Sequence, residues 1–215
     1  GDYKFKNLND GQYGEDDTND INSGKYTADA PGDMKVIGNT TPRYQYGFNF
    51  GFDFAGFDLS VMLQGVGKRD YFNSGPYFYT YIAGSDAIWS PVFTGTENYW
   101  TPKSTDASSN DYYVNANPDA TLPRIYGNVG NASSNRRTNT HMLTSSAYLR
   151  VKNVTLSYTF PKALLSRAHI ANLRVYASGE NLFTFTSLPK GIDPETLSWS
   201  YPLYRTVSLG LNLTF

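Results

Sequence analysis

From Tyr44 to Phe54 the chain alternates without a break. Tyr44, Tyr46, Phe48, Phe50, Phe52 and Phe54 fall on one side, and Gln45, Gly47, Asn49, Gly51 and Asp53 on the other. Strand side chains point to opposite faces with period two, so the pattern predicts a strand; no helix keeps these two sets apart. Six successive rings on one face exceed what a close-packed core accommodates, because core rings share space with smaller side chains. A face of this kind suits lipid. After Ala55-Gly56 the alternation resumes with Phe57, Leu59, Val61 and Leu63 against Asp58, Ser60, Met62 and Gln64. A two-residue hairpin makes Phe54 and Phe57 direct partners, and both belong to the apolar set, so the register closes without a bulge.

Three more strands follow. Val154, Leu156, Tyr158 and Phe160 oppose Thr155, Ser157 and Thr159, whereas Leu149 and Val151 have the wrong parity for that face, which predicts a bulge or the membrane boundary near Lys152-Asn153. Leu173, Val175, Ala177, Gly179 and Phe183 oppose Arg174, Tyr176, Ser178 and Glu180. Between these two strands, the stretch around Ala163-Leu164-Leu165 predicts one helical turn. In the closing stretch, Val207, Leu209, Leu211, Leu213 and Phe215 face away from Thr206, Ser208, Gly210, Asn212 and Thr214. A soluble half-buried strand usually carries charges on its wet face, and this one carries only small neutral groups. That composition fits a strand between lipid and a packed or watered lumen.

The connections set the topology. Residues 44–67 form a hairpin, 68–146 a long segment without sustained alternation, and 147–215 three strands with a polar loop at 184–204. Connections run short, long, short, long, so in an antiparallel sheet both long loops share one side with the polar, turn-rich residues 1–43. Short periplasmic turns and long extracellular loops are the asymmetry of an outer-membrane barrel. Eleven residues at about 3.3 Å, tilted about 45°, rise about 25 Å, the height of the apolar band. Rings also cluster by depth. Phe52, Phe54, Phe57, Phe160 and Phe215 lie at the turn side, and Tyr44, Tyr46, Tyr148 and Phe183 at the loop side, as two interfacial girdles. The expected fold is all-β. Five strands alone leave open edges in lipid, so other strands must complete the wall.

Composition narrows the function. The 215 residues include no cysteine, which excludes disulfides and Cys-ligated metals, and the net charge of -1 gives no reason to expect nucleic acid. No apolar run approaches the roughly 20 residues of a spanning helix. Gly1-Asp2-Tyr3-Lys4 lacks the basic start and apolar stretch of a signal peptide, so an outer-membrane location expects a processed N-terminus or a longer chain. The polar stretch from Asn7 to Asp17 has the oxygen-rich character of a calcium loop. Its spacing is a residue short and amides replace two carboxylates, so it predicts a solvated loop and no metal. His141 and His169 have no nucleophile motif nearby, so neither enzymatic activity nor a cofactor is expected. Within the long loop, Tyr77, Tyr79, Tyr81, Trp89, Tyr99, Trp100, Tyr112 and Tyr113 offer flat amphipathic surfaces for a sugar or a partner. The competing expectation is that these rings pack the loop on itself.

Several phrases resemble a known family. Gly1-Asp2-Tyr3-Lys4-Phe5-Lys6, Val36-Ile37-Gly38-Asn39-Thr40-Thr41-Pro42-Arg43-Tyr44, Gly56-Phe57-Asp58-Leu59-Ser60 and Gln64-Gly65-Val66-Gly67 are similar to the C-terminal region of SusC/RagA-type TonB-dependent outer-membrane transporters. So are Tyr99-Trp100-Thr101-Pro102, Leu122-Pro123-Arg124, Tyr148-Leu149-Arg150-Val151-Lys152-Asn153, Gly179-Glu180-Asn181-Leu182-Phe183 and Gly191-Ile192-Asp193-Pro194-Glu195. The resemblance implies the last five strands of a barrel of about 22 strands. It implies import of oligosaccharides, glycans or peptides across the outer membrane of a Gram-negative bacterium. The implied partners are the remaining barrel and plug, the TonB complex, outer-membrane lipid and a SusD-like surface lipoprotein acting as a lid. Phe215 resembles the terminal aromatic that the barrel-assembly machinery recognises.

Two other classes compete. A soluble all-β carbohydrate-binding module would keep the aromatic loop, but needs a second apolar sheet over Phe48, Phe50 and Phe52, and the sequence offers none. A small pore built from several copies would form a single 24.0 kDa species without a larger partner.

Overall fold

A computed structural model describes residues 2–8, 21, 27–73, 98–125, 135, 137–198, 200–201 and 203–215. The chain divides into two compact units, Gly1–Ile37 with Asn73–Met142, and Gly38–Phe72 with Leu143–Phe215.

The second unit is built on an antiparallel sheet. Its strands are β1 (Tyr44–Phe54), β2 (Phe57–Gly67), β5 (Tyr148–Thr159), β6 (Asn172–Thr186) and β7 (Thr206–Thr214), hydrogen-bonded in that order. A separate ribbon pairs β3 (Asp70–Phe72) with β4 (Leu143–Ser145), two strands too short to show as alternation. One helical turn, α1 (Lys162–Leu165), lies in the β5–β6 connection. β6 is longer than its pattern predicted and runs to Thr186, three residues into the expected loop.

Register carries the argument. Phe54 faces Phe57 across a turn in which Ala55 and Gly56 both have positive φ, 50° and 87°, the twist that two-residue hairpins favour. From that pair a row continues through Tyr158 and Val175 to Leu211. The next rows are Phe52, Leu59, Leu156, Ala177 and Leu209, then Phe50, Val61, Val154, Gly179 and Val207. Every member is apolar except for the Tyr158 hydroxyl. The opposite face alternates with these rows: Asp53, Asp58, Ser157, Tyr176 and Gly210, then Gly51, Ser60, Thr155, Ser178 and Ser208. Five separately patterned stretches therefore agree on one apolar face.

Continuity requires the bulge expected near Lys152. From the polar-face row of Met62, Asn153 and Glu180 to the next apolar row of Leu63, Val151 and Phe183, β2 advances one residue, β5 two and β6 three. The extra residues restore parity, so Val151 pairs with Phe183 and Leu149 with Phe185 on the apolar side. Asn181 takes the left-handed conformation, φ 51°, that this insertion needs and that Asn tolerates better than most residues. The same shift corrects the expected girdle. Tyr148 lies at the loop end, but the bulge turns it to the polar face opposite Val66, where it is only 5% exposed.

Burial is inverted relative to a soluble sheet. Phe54 is 68% exposed, Leu209 83% and Phe215 86%, whereas Arg150, Ser157 and Asp193 are buried. Two tyrosine-over-glycine pairs close the gaps in the sheet: the Tyr46 ring covers Gly65, and Tyr176 covers Gly210, each its direct cross-strand partner. A Cβ on Gly210 would stand 2.1 Å from the Tyr176 ring.

The first unit has little regular structure among its described residues. A parallel bridge joins Tyr99 to Leu122, and an antiparallel one joins Pro102 to Asn115. A 3-10 turn, Asn110–Tyr113, is capped by the Ser109 side chain, which accepts from the Asp111 amide. Met142 and Asn135 are fully buried.

Candidate functional site

Of the eight aromatic residues expected to contact a ligand or partner, Tyr77, Tyr79, Tyr81 and Trp89 lie outside the described residues, as does most of the stretch from Asn7 to Asp17. The other four fall in the segment 98–125. There the side-chain amide of Asn117 donates to Asn98 Oδ1 at 2.8 Å and to the Tyr99 carbonyl at 3.2 Å, and Asn98 in turn donates to the Asp119 carbonyl. These bonds tie the Tyr99-Trp100-Thr101-Pro102 and Leu122-Pro123-Arg124 phrases together, with the Trp100 amide donating to the Leu122 carbonyl at 3.0 Å.

Arg124 then serves two rings. Its guanidinium lies 4.8 Å from the Tyr112 ring centroid and 5.7 Å from that of Trp100, and it donates to the Tyr112 hydroxyl. Trp100 and Tyr112 are thereby engaged inside the loop, the packing alternative raised by the sequence. Tyr113 meets the Tyr112 ring edge-on at 5.3 Å yet remains 77% exposed. Among the four, it offers the most open contact surface.

The sequence did not single out as functional a second constellation, in the sheet unit. Arg150 and Lys152 both reach the 191–195 segment. Arg150 Nη2 meets Asp193 Oδ2 at 2.7 Å, Arg150 Nη1 meets Glu195 Oε1 at 2.8 Å, and Lys152 Nζ meets Glu195 Oε2 at 2.9 Å. Arg150 Nε donates to Thr184 Oγ1 at 2.9 Å, so all the orientation the fork can give is used. Arg69 approaches from the other flank, donating to Ser146 Oγ at 2.9 Å and to the Pro194 carbonyl. The loop after β6 is thus riveted to the polar face. Burial pushes the Asp193 carboxyl up, but the Glu195 amide, the Arg150 guanidinium and the Leu203 amide outweigh it and hold the group below its ordinary value. Two cations spaced two apart in R-V-K and two anions spaced two apart in D-P-E were the available signal. Only the fold shows that the two pairs meet.

Among the described residues no group of His, Asp and Glu is arranged to hold a metal. His141 stacks on Tyr3 at 5.0 Å instead of standing alone in its loop. His169 caps the 3-10 turn after α1 with a φ of 55°.

An antiparallel sheet with an exposed apolar face, a polar face and two edge strands at the ends of its order is the arrangement of a piece of β-barrel wall. Similarity to known proteins points to the particular kind. No protein-family model matches the chain. Three TonB-dependent receptors of Formosa agariphila are similar: P3, 29% identical over 85% of this chain; P26, 25% over 85%; and P39, 24% over 90%. The RagAB peptide transporter superposes with a TM-score of 0.63 at 25% identity over 89% of this chain, and the RagAB peptide importer in its closed-closed state with 0.63 at 24% over 94%. Together these support a C-terminal segment of a SusC/RagA-type TonB-dependent outer-membrane transporter. The chain spans 17–18% of the length of the three receptors and 19–20% of the RagAB chains. All of these relatives are named as receptors or transporters, none as an enzyme.

Proposed function

We propose that the chain forms five membrane-spanning strands of a TonB-dependent importer of about 22 strands, which takes up oligosaccharides, glycans or peptides beneath a SusD-like lipoprotein lid. The observation that carries this reading is the register: five strands place every apolar row on one exposed face. Facing lipid, that surface needs no covering layer; facing water, it would be an exposed patch far larger than soluble proteins carry. The polar face then lines the lumen. Residues 1–43, 68–146 and 184–204 form the extracellular side, and Tyr113 with its neighbouring rings contributes to the vestibule or to lid docking. The peptide reading draws support from the RagAB neighbours.

The test is uptake by cells that express the full-length chain, supplied with labelled oligopeptides and labelled oligosaccharides, with and without a protonophore. Accumulation of one class that stops when the protonmotive force is removed is the expected result. Uptake that ignores the protonophore, or no accumulation of either class, contradicts it.

A further inference from the structure

The first unit contains a cleft of about 720 Å³ bounded by residues 3–8, 33–37 and 137–141. Sites for small ligands span roughly 300–1,000 Å³. Among the described residues that line it are Lys4, Lys6, Lys35 and Arg137, all exposed, and one carboxylate, Asp33, which already accepts the Leu8 amide. Among the described residues none of these four cations makes an ion pair. Such a concentration of one sign raises the local density of anions.

The cleft is also built. Asn135, fully buried, accepts the Tyr3 amide at 2.9 Å and donates to Asp2 Oδ1 at 2.8 Å, which anchors the run of residues 2–8 at its start. That run keeps Tyr3 and Phe5 half-buried while Lys4 and Lys6 stay in the open. Tyr3 stacks on His141 with an interplanar angle of 22°, making a flat platform. The Tyr3 hydroxyl is buried and has no hydrogen-bond partner among the described residues. An orphaned donor of this kind is costly unless something accepts from it. Burial raises its pKa to about 12, so it stays a donor at any physiological pH. Next to these groups Thr138, Asn139 and Thr140 add neutral polar groups to the lining.

We infer that this cleft binds an acidic sugar, a short oligosaccharide bearing carboxylate or sulfate groups. Its anionic groups meet Lys4, Lys6, Lys35 and Arg137, and a ring lies against the Tyr3–His141 platform. Cations alone would take any anion, and rings alone would take a neutral sugar; the two together select the acidic one. The binding stands without the import reading, and only a use of this ligand in uptake would rest on it.

The experiment is calorimetric titration of the detergent-solubilised full-length protein with trigalacturonate, with an uncharged trisaccharide and with inorganic sulfate as comparison probes. Saturable binding of trigalacturonate is expected, at least tenfold tighter than either comparison and weaker at high salt. Lys4→Gln with Lys6→Gln should weaken it at least tenfold, as should Arg137→Gln. Lys4→Arg with Lys6→Arg should retain it, which separates lost charge from lost structure. Tyr3→Phe should weaken binding severalfold while leaving the melting temperature of the free protein unchanged or higher. Equal affinity for the neutral trisaccharide, sulfate binding as tight as trigalacturonate, charge-removing variants that bind normally, or no binding at all would each overturn the inference, whatever the outcome of the uptake assay.

Discussion

At the scale of single residues, the two faces of β7 make opposite demands. Leu209 and Ser208 are neighbours in sequence, yet Leu209 joins the exposed apolar row and Ser208 the polar one. Leu209→Arg should cost about 2–4 kcal/mol in lipid, the penalty of a cation near the bilayer midplane, and Ser208→Arg much less. Reversible urea unfolding of the full-length protein in vesicles measures both. Arg150 tests the other kind of burial. Its side chain is 3% exposed against 5% for Asp193, and removing one member of such a pair leaves the other charge stranded. Arg150→Met should therefore destabilise the loop after β6 by about 3–5 kcal/mol, seen as faster amide exchange or proteolysis within residues 187–203. The pH dependence follows from the depressed Asp193 value. A carboxyl lowered in the folded state contributes stability above its ordinary value of 3.8, and that contribution is lost as pH falls through the lower folded value. The loop should stay protected at pH 5 to 8 and open in stronger acid; protection that changes near neutrality would assign the latch to another group.

At the scale of elements, the bulge decides which face each half of β5 presents. Without an extra residue, either Leu149 and Val151 or Val154 and Leu156 would point to the polar side, because a slip of one residue reverses every side chain beyond it. Deleting Lys152 should abolish the heat-modifiable folded form on a gel, whereas Lys152→Ala should preserve it and lose only the contact with Glu195. This part of the fold was legible in the sequence. The broken parity of Leu149 and Val151 located the bulge, and Phe54 with Phe57 gave the hairpin register. The bulge's effect on Tyr148 was not legible, since depth along a strand says nothing of which side of the insertion a ring sits on. The β3–β4 ribbon was missed because three residues carry too little alternation. The latch between Arg150 and Asp193 was missed because it joins residues 43 apart through a loop with no periodicity of its own. Four of the eight aromatic candidates fall in the described loop, and there Arg124 draws Trp100 and Tyr112 into packing that ring composition alone could not foretell.

At the scale of the whole molecule, β1 and β7 end the sheet order, and each presents backbone groups that a bilayer would leave unsatisfied. The wall reading therefore expects the chain to work within a larger barrel, with an intact mass several times 24.0 kDa and extraction from membranes only by detergent. A single 24.0 kDa species in the aqueous phase would return the question to a soluble module. The most direct test uses the absence of cysteine from this chain. Nitroxide labels placed singly from Thr206 to Thr214, with the full-length protein in vesicles, report collision with lipid-soluble oxygen and with a water-soluble nickel chelate. Val207, Leu209, Leu211 and Leu213 should show high oxygen and low nickel accessibility, and Thr206, Ser208, Gly210 and Asn212 the reverse or low values for both. A profile without a period of two, or with the leucines more accessible to nickel than the serine and threonines, would contradict the assignment of the apolar face to lipid.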